Sequence, residues 1–231
     1  MLKNKKTTAF TQKSYVFALL LLWFIPLGVY AQSSDLGNWL IYIGNKKINQ
    51  KWNWHHEVQY RNYDAISDLE QLLLRTGIGY NLTENNHNIL LGYGFIHSEN
   101  YISGLDEKVD LDEHRIFQQY IYRHTFRTFS VQHRFRLEQR FIESDFRGRF
   151  RYFLAATLPL TQKETDDNTF YLSAYNELFL NTENIVFDRN RLYGGLGYKV
   201  NGTLRFEVGY MNQFLNKGGR DQVNIFAYVT L

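Results

Sequence analysis

Arg134, Arg136, Glu138 and Arg140 stand at alternate positions, and Arg149 and Arg151 repeat the spacing shortly afterwards. On an extended chain alternate side chains share one face. Glu57 and Arg61, Arg75, Glu177, and Arg205 with Glu207 fall on the corresponding face of other alternating stretches, as do Lys51, Glu113, Arg115, Arg123, Arg147, Arg191 and Lys199. Guanidinium groups form two-pronged hydrogen bonds to carboxylates and phosphates. A surface with this composition can make a structural ion-pair network, or a basic wall that favours anions by the rule that arginine and lysine rings select them. A lone buried charge is costly, so the network is the expected arrangement.

Other candidates for chemistry are weaker. His97-Ser98-Glu99, and His55 with Glu57, are the combinations nearest to a serine hydrolase or an acid–base site. Neighbours on a strand point to opposite faces, which separates His97 from Ser98. No Gly-x-Ser-x-Gly elbow is present. His133 lies among aromatic residues on the opposite face from Arg134. The pairs His55/His56 and His114/His124 lack a metal-ligand pattern. With no cysteine there is no disulfide, thiol chemistry or cysteine metal site. Acidic residues such as Asp64, Asp68, Glu99, Asp106, Glu107, Asp110, Glu143 and Asp188 gather between the alternating stretches, where a solvated surface is expected and calcium or magnesium is the competing reading. No catalytic residue, metal or cofactor is assigned. The competing functional readings are a lipid hydrolase or deacylase at a barrel rim and a soluble periplasmic ligand-binding barrel.

Elements of period two must position these charges. In Thr128–Phe141, Phe129, Val131, His133, Phe135, Leu137 and Phe141 oppose Ser130, Gln132, Arg134, Arg136, Glu138 and Arg140. A strand this long with arginines on one face and aromatics on the other suits a transmembrane barrel, one face toward lipid and the other toward a wet lumen. Similar stretches are Lys51–Arg61, Leu69–Tyr80, His87–Ser98, Asp112–Phe126, Arg147–Leu158, Thr169–Leu180, Arg191–Val200, Thr203–Phe214 and Gln222–Leu231. Asn201-Gly202 is a strong hairpin signal. Only Pro26 and Pro159 are prolines, while 17 Tyr and 18 Phe suit strands and aromatic girdles. The fold class is therefore all-β, a closed antiparallel transmembrane β-barrel of 10–12 strands. The ten strands from Lys51 onward match the even count of bacterial barrels. Asn38–Gly44, apolar on both faces, is an unplaced eleventh within a separate segment 32–50, and the barrel is expected to span 51–231.

Residues 1–31 carry Lys3, Lys5, Lys6 and Lys13 before an apolar run from Tyr15 to Tyr30, and Val29-Tyr30-Ala31 fits cleavage of a signal peptide. Removing those four from the 26 cations leaves 22 against 23 carboxylates, turning the net charge from +3 to −1. The basic excess thus belongs to the export signal, and nucleic acid is not an expected partner. The expected location is the outer membrane, with the lipid bilayer and surface lipids as partners and small anionic solutes as the class a basic lumen would pass. The expected function is structural or narrow transport through a largely occluded, arginine-rich lumen.

The chain resembles an uncharacterised outer-membrane barrel family, domain of unknown function 2490. The resemblance rests on Asn38-Trp39, His56-Glu57-Val58-Gln59-Tyr60-Arg61, Glu113-His114-Arg115 with Gln118-Gln119, Arg149-Phe150-Arg151-Tyr152, and Tyr175-Asn176-Glu177-Leu178-Phe179. It covers nearly all of residues 35–231 and implies an outer-membrane barrel without assigning an activity.

Overall fold

Strand alternation extends further than the sequence pattern alone suggests. The computed structural model describes residues 36–231 except 65–66, 84–85, 127–128, 161–166 and 184. The expected signal peptide lies outside the described residues, as does Thr128. The strands are β1 (Gly37–Lys47), β2 (Trp52–Asn62), β3 (Leu69–Asn81), β4 (His87–Tyr101), β5 (Lys108–Phe126) and β6 (Phe129–Ile142). They continue as β7 (Asp145–Pro159), β8 (Thr169–Asn181), β9 (Phe187–Lys199), β10 (Leu204–Leu215) and β11 (Gly219–Thr230). Consecutive strands pair antiparallel, and β1 closes the barrel by pairing in parallel with β11.

The closure corrects two expectations. Residues 38–44 are neither outside the barrel nor an extra short strand, because Gly37–Lys47 is a full stave. The count of eleven among the described residues is odd, so the ring is mixed rather than wholly antiparallel. The physical reason lies in the β1 side chains. Trp39 and Ile41 point inward and are buried, whereas Leu40 between them is exposed. The inward neighbours of Trp39 and Ile41 are apolar too, with Tyr193, Met211 and Phe226 forming one cluster with them. Both faces of β1 are therefore apolar, which erased the alternation that marks the other strands.

Along β3 the outward Leu74, Thr76 and Ile78 alternate with the buried Leu73, Arg75, Gly77 and Gly79. On β5 the buried Glu113, Arg115, Phe117 and Gln119 alternate with exposed residues. The mixed appearance of β5 in sequence has a cause: Phe117 is turned in, while His114 and Gln118 are turned out and satisfied across the sheet. His114 Nδ1 lies 2.6 Å from the Tyr93 hydroxyl, and the Gln118 and Gln139 amides bond reciprocally at 3.1 Å. Strands β4 and β5 also run on to Tyr101 and Lys108, shortening the loop expected at 99–111 to 102–107. Lys108 binds Asp68 and, at 3.0 Å, Glu99, which ties this extension to the neighbouring connection.

Gly92 is paired opposite Phe117 on the inner face, and a Cβ at Gly92 would run into the Phe117 ring. Phe117 is 1% exposed. Gly92→Val should therefore lower stability by about 1–3 kcal/mol through overpacking, read as a lower midpoint of urea unfolding. An unchanged midpoint would refute this placement of Phe117.

Candidate functional site

Inward-facing positions of β2 to β9 bring the alternating charges together. Arginines stand directly opposite one another across the ladders: Arg115 faces Arg140, and Arg136 faces Arg151. Like charges in cross-strand pairs repel, and each pair here is bridged by a shared carboxylate. Glu113 accepts from Arg115 Nη2 at 2.8 Å and from Arg140 Nη2 at 2.9 Å. Glu138 accepts from Arg149 Nη2 and from Arg151 Nη1, each at 2.6 Å, and Arg136 Nη1 lies 3.6 Å away. Glu177 accepts from Arg134 at 2.7 Å and Arg151 at 2.6 Å, with Arg191 at 3.8 Å. Glu57 accepts from Arg75 Nη1 at 2.7 Å and from the Gln59 amide.

Arg115 is within 4.0 Å of Glu138, so Glu113, Glu138 and Glu177 form one continuous chain of ion pairs. Most of its members are buried, Arg136 and Glu138 to 2% exposure each, while Arg134 and Arg140 are partly exposed. In such surroundings an ion pair is stable only when its remaining donors and acceptors are also satisfied. Neutral amides contribute here. Gln119 Oε1 accepts from Arg136 Nη2 at 2.6 Å, and Gln213 Oε1 from Arg191 Nε at 2.7 Å. Arg61 bonds to Gln71 at 2.6 Å and Gln59 at 3.0 Å.

Aromatic faces carry the remaining positive charge. The Phe179 ring has Arg151 at 4.4 Å, Arg191 at 4.6 Å and Arg149 at 5.3 Å from its centroid. Trp39 lies beneath Arg61 at 3.7 Å and Arg191 at 4.7 Å, and Phe117 is 4.4 Å from Arg136. Each contact places a cation over the negative face of a ring. Within this network Arg61, Arg75, Arg115, Arg134, Arg136, Arg140, Arg149, Arg151, Arg189 and Arg191 oppose Glu57, Glu113, Glu138, Glu177 and Asp188, an excess of five positive charges.

Two cavities matter among the described residues. One, of about 190 Å³, is lined by Arg61, Arg75, Arg115, Arg140, Arg149, Arg151, Arg189 and Arg191, with Glu113, Gln71, Ser98, Asn100, Leu111 and Phe179. It lies toward the end of the barrel that carries Gly104. The ladder irregularities at Arg61/Asn62 and Phe179/Leu180 both fall in its wall. Bulges of this kind re-aim side chains and concentrate beside functional sites. The other cavity, of about 320 Å³, lies toward Gly202 and is lined by Tyr171, Lys199, Arg205, Tyr228 and neighbouring threonines.

Most of the charges expected to converge do so. Arg205 and Glu207 are the departures: they sit toward the Gly202 end, Arg205 over Tyr228 at 4.2 Å and Glu207 accepting from the Tyr171 hydroxyl at 3.1 Å. Glu113 and Arg115 are more central than their place in the sequence suggested. Asp188, expected as a loop carboxylate, accepts from Arg149 Nη1 at 3.1 Å. The contributions of Trp39, Gln59, Gln71, Gln119, Phe117 and Phe179 carry no charge signal and were not legible; only their alternation with exposed residues could have flagged them.

The hydrolase candidates separate. Ser98 is buried and its hydroxyl accepts from Gln71 Nε2 at 2.7 Å, whereas His97 faces the other way, 2.7 Å from Asp112. His97, Glu99 and Asp110 each bring one potential metal-ligand atom within 4.8 Å of the others on the outer face. Their existing contacts to Asp112 and Lys108 occupy that cluster.

Comparison with known proteins adds a family without an activity. The family described as "Protein of unknown function (DUF2490)" matches residues 36–224. An uncharacterized protein of Methylorubrum extorquens is 30% identical over 166 residues, covering 68% of this chain and 69% of that protein. No solved structure matches.

Glu138 has the highest ratio of arginines to carboxylate in the network. Glu138→Gln should cost about 3–5 kcal/mol, because it removes the one carboxylate shared by Arg115, Arg136, Arg149 and Arg151 and leaves their charge under-compensated away from water. Glu207→Gln, which keeps an amide oxygen to accept from the Tyr171 hydroxyl and loses only the charge assistance, should cost about 1 kcal/mol. Urea unfolding of the two variants checks the order, and equal losses would refute a special role for Glu138.

Proposed function

The chain belongs to the DUF2490 family, and from that premise we propose that it is an outer-membrane β-barrel whose arginine-rich, largely occluded interior serves a structural or narrow-transport role. One observation carries the reading: the barrel is apolar outside and charged inside. Leu74, Ile78, Leu91, Ile116, Leu137, Leu196, Val208 and Ile225 are exposed, while arginines and glutamates on the intervening positions are buried. A soluble barrel requires the reverse, since a continuous exposed apolar surface on a monomer drives association. In a bilayer the same surface meets acyl chains, and ring closure leaves no backbone edge unpaired.

The rings near the barrel ends also suit an interfacial position. Trp52 and Tyr80 are 4.9 Å apart, Phe126 and Phe129 5.0 Å, and Phe170 and Tyr198 4.8 Å toward the Gly202 end. Phe141 and Phe146 are 5.3 Å apart toward the Gly104 end. Aromatic girdles of this kind mark the two interfaces of transmembrane barrels. Occlusion is supported by the side chains that fill the mid-section, among them Arg136, Glu138, Phe117, Met211 and Asn224, all 2% exposed or less. In this orientation the C-terminal ends of β2, β4, β6, β8 and β10 face outward and the Gly202 turn faces the periplasm.

The absence of cysteine allows a clean test. A chain carrying Ser103→Cys should fractionate with the outer membrane, migrate differently on gels with and without heating, and react with an impermeant maleimide on intact cells. Gly202→Cys should react only after lysis. Recovery from the soluble fraction would overturn the membrane reading, and the reverse labelling pattern would overturn the orientation. Purified protein in a planar bilayer should show no large stepwise conductance; wide-pore steps would overturn the occluded interior.

A further inference from the structure

The cavity toward Gly104 has a composition that a filled ion-pair network does not need. Eight arginines line it, and one carboxylate, Glu113. Glu113 is already shared by Arg115 and Arg140. Arg61, 7% exposed, has hydrogen bonds only to the neutral amides of Gln59 and Gln71 among the described residues and stacks on Trp39. Arg191 reaches Gln213 directly and its nearest carboxylate, Glu177, only at 3.8 Å. Charges held this far from water need counter-charge; Glu57, Glu138, Glu177 and Asp188 supply it to Arg75, Arg149, Arg151 and Arg189, and the network is still left with its excess of five positive charges. We infer that the cavity is a binding site for a small phosphate-bearing anion, which supplies the missing negative charge between Arg61, Arg191, Arg115, Arg140 and Arg189.

Three features favour phosphate chemistry over a simple halide. Guanidinium forks match the paired oxygens of a phosphate group, and several forks can engage one tetrahedral group at once. Positive charge in excess calls for a multivalent partner. The volume of about 190 Å³ leaves room for a small multivalent anion. Arg61 and Phe179, the residues at the two ladder irregularities, stand on its wall, so the backbone itself departs from regular pairing where the cavity is built.

The inference deepens the proposed reading of the arginine-rich interior and rests on that reading for the side of the membrane the cavity faces. Inorganic diphosphate is the probe, added to the intact barrel purified in detergent. Diphosphate should raise the unfolding temperature of the native protein in a dose-dependent manner and broaden the bound phosphorus resonance. Arg61→Gln and Arg189→Gln should each weaken the response about tenfold or more, as expected for loss of a charge-assisted fork. Arg189 lies at the rim and tests the site even where Arg61→Gln impairs folding. Arg205→Gln, at the opposite end, should respond like the native protein. No response in the native protein, or an equal response in all variants, overturns the site. Competition by a short-chain phosphatidic acid below its micellar concentration identifies the source: displacement of diphosphate points to a lipid phosphate, and no displacement to a free solute, both requiring the same arginines. A barrel that binds diphosphate but is recovered as a soluble protein overturns the membrane reading alone, and an outer-membrane barrel that ignores diphosphate overturns this site alone.

Discussion

The structure depends on compensating positive charge where water is scarce. Arg115 with Arg140, and Arg136 with Arg151, are forced side by side by the strand register, and in isolation each pair would push its strands apart. One glutamate placed within reach of both members converts each repulsion into a bridge. Because Glu113 belongs to β5, Glu138 to β6 and Glu177 to β8, the bridges cross strand boundaries. They link β5, β6, β7, β8 and β9 by side chains as well as by the backbone ladder. Register and electrostatics therefore reinforce one another: a one-residue slip in any of these strands would turn its arginines outward and strand the carboxylates of its neighbours.

The interior is divided into sectors with different chemistry. The side formed by β1, β9, β10 and β11 packs Trp39, Ile41, Tyr193, Met211 and Phe226 against one another, while β2 to β8 supply most of the charge. Trp39 joins the two, since its ring packs in the apolar cluster and also underlies Arg61 and Arg191. Phe179, on β8, likewise underlies Arg149, Arg151 and Arg191. The aromatic faces give the guanidinium planes a surface that is dry yet electrostatically favourable.

Much of the fold was legible because period two survives wherever the two faces differ. Strands β2, β3, β6, β8 and β10 match their expected spans closely, and the inward positions of Arg75, Arg136, Glu138, Arg149, Arg151 and Glu177 followed from alternation alone. The rule failed where the faces were alike. Strand β1 presents apolar side chains both ways, so its role in closing the ring was hidden, and with it the odd number of strands. Pairing partners were also out of reach. Alternation says that Arg61 points inward, but only the folded ring shows that it meets glutamines and a tryptophan rather than a carboxylate. Asp188 could not be separated from the loop acids by pattern, because its partner Arg149 is on another strand.

The preference for arginine over lysine inside the ring follows from the same geometry. A ring of eleven strands is wider than the eight-stranded case in which ordinary side chains just fill the interior, so long side chains must reach toward the axis. Both cations are long enough. Only the guanidinium is flat, and so can lie against Phe179 or Trp39 while its edge donates to a carboxylate or an amide. Arg151 does all of this at once, stacking on Phe179 and donating to Glu138 and Glu177. A lysine there would place one compact, strongly hydrated charge among groups too far apart to be reached together. The interior is consequently held by forks and stacked planes. Where the built-in acceptors run out, beside Arg61, the same forks remain shaped for an oxyanion.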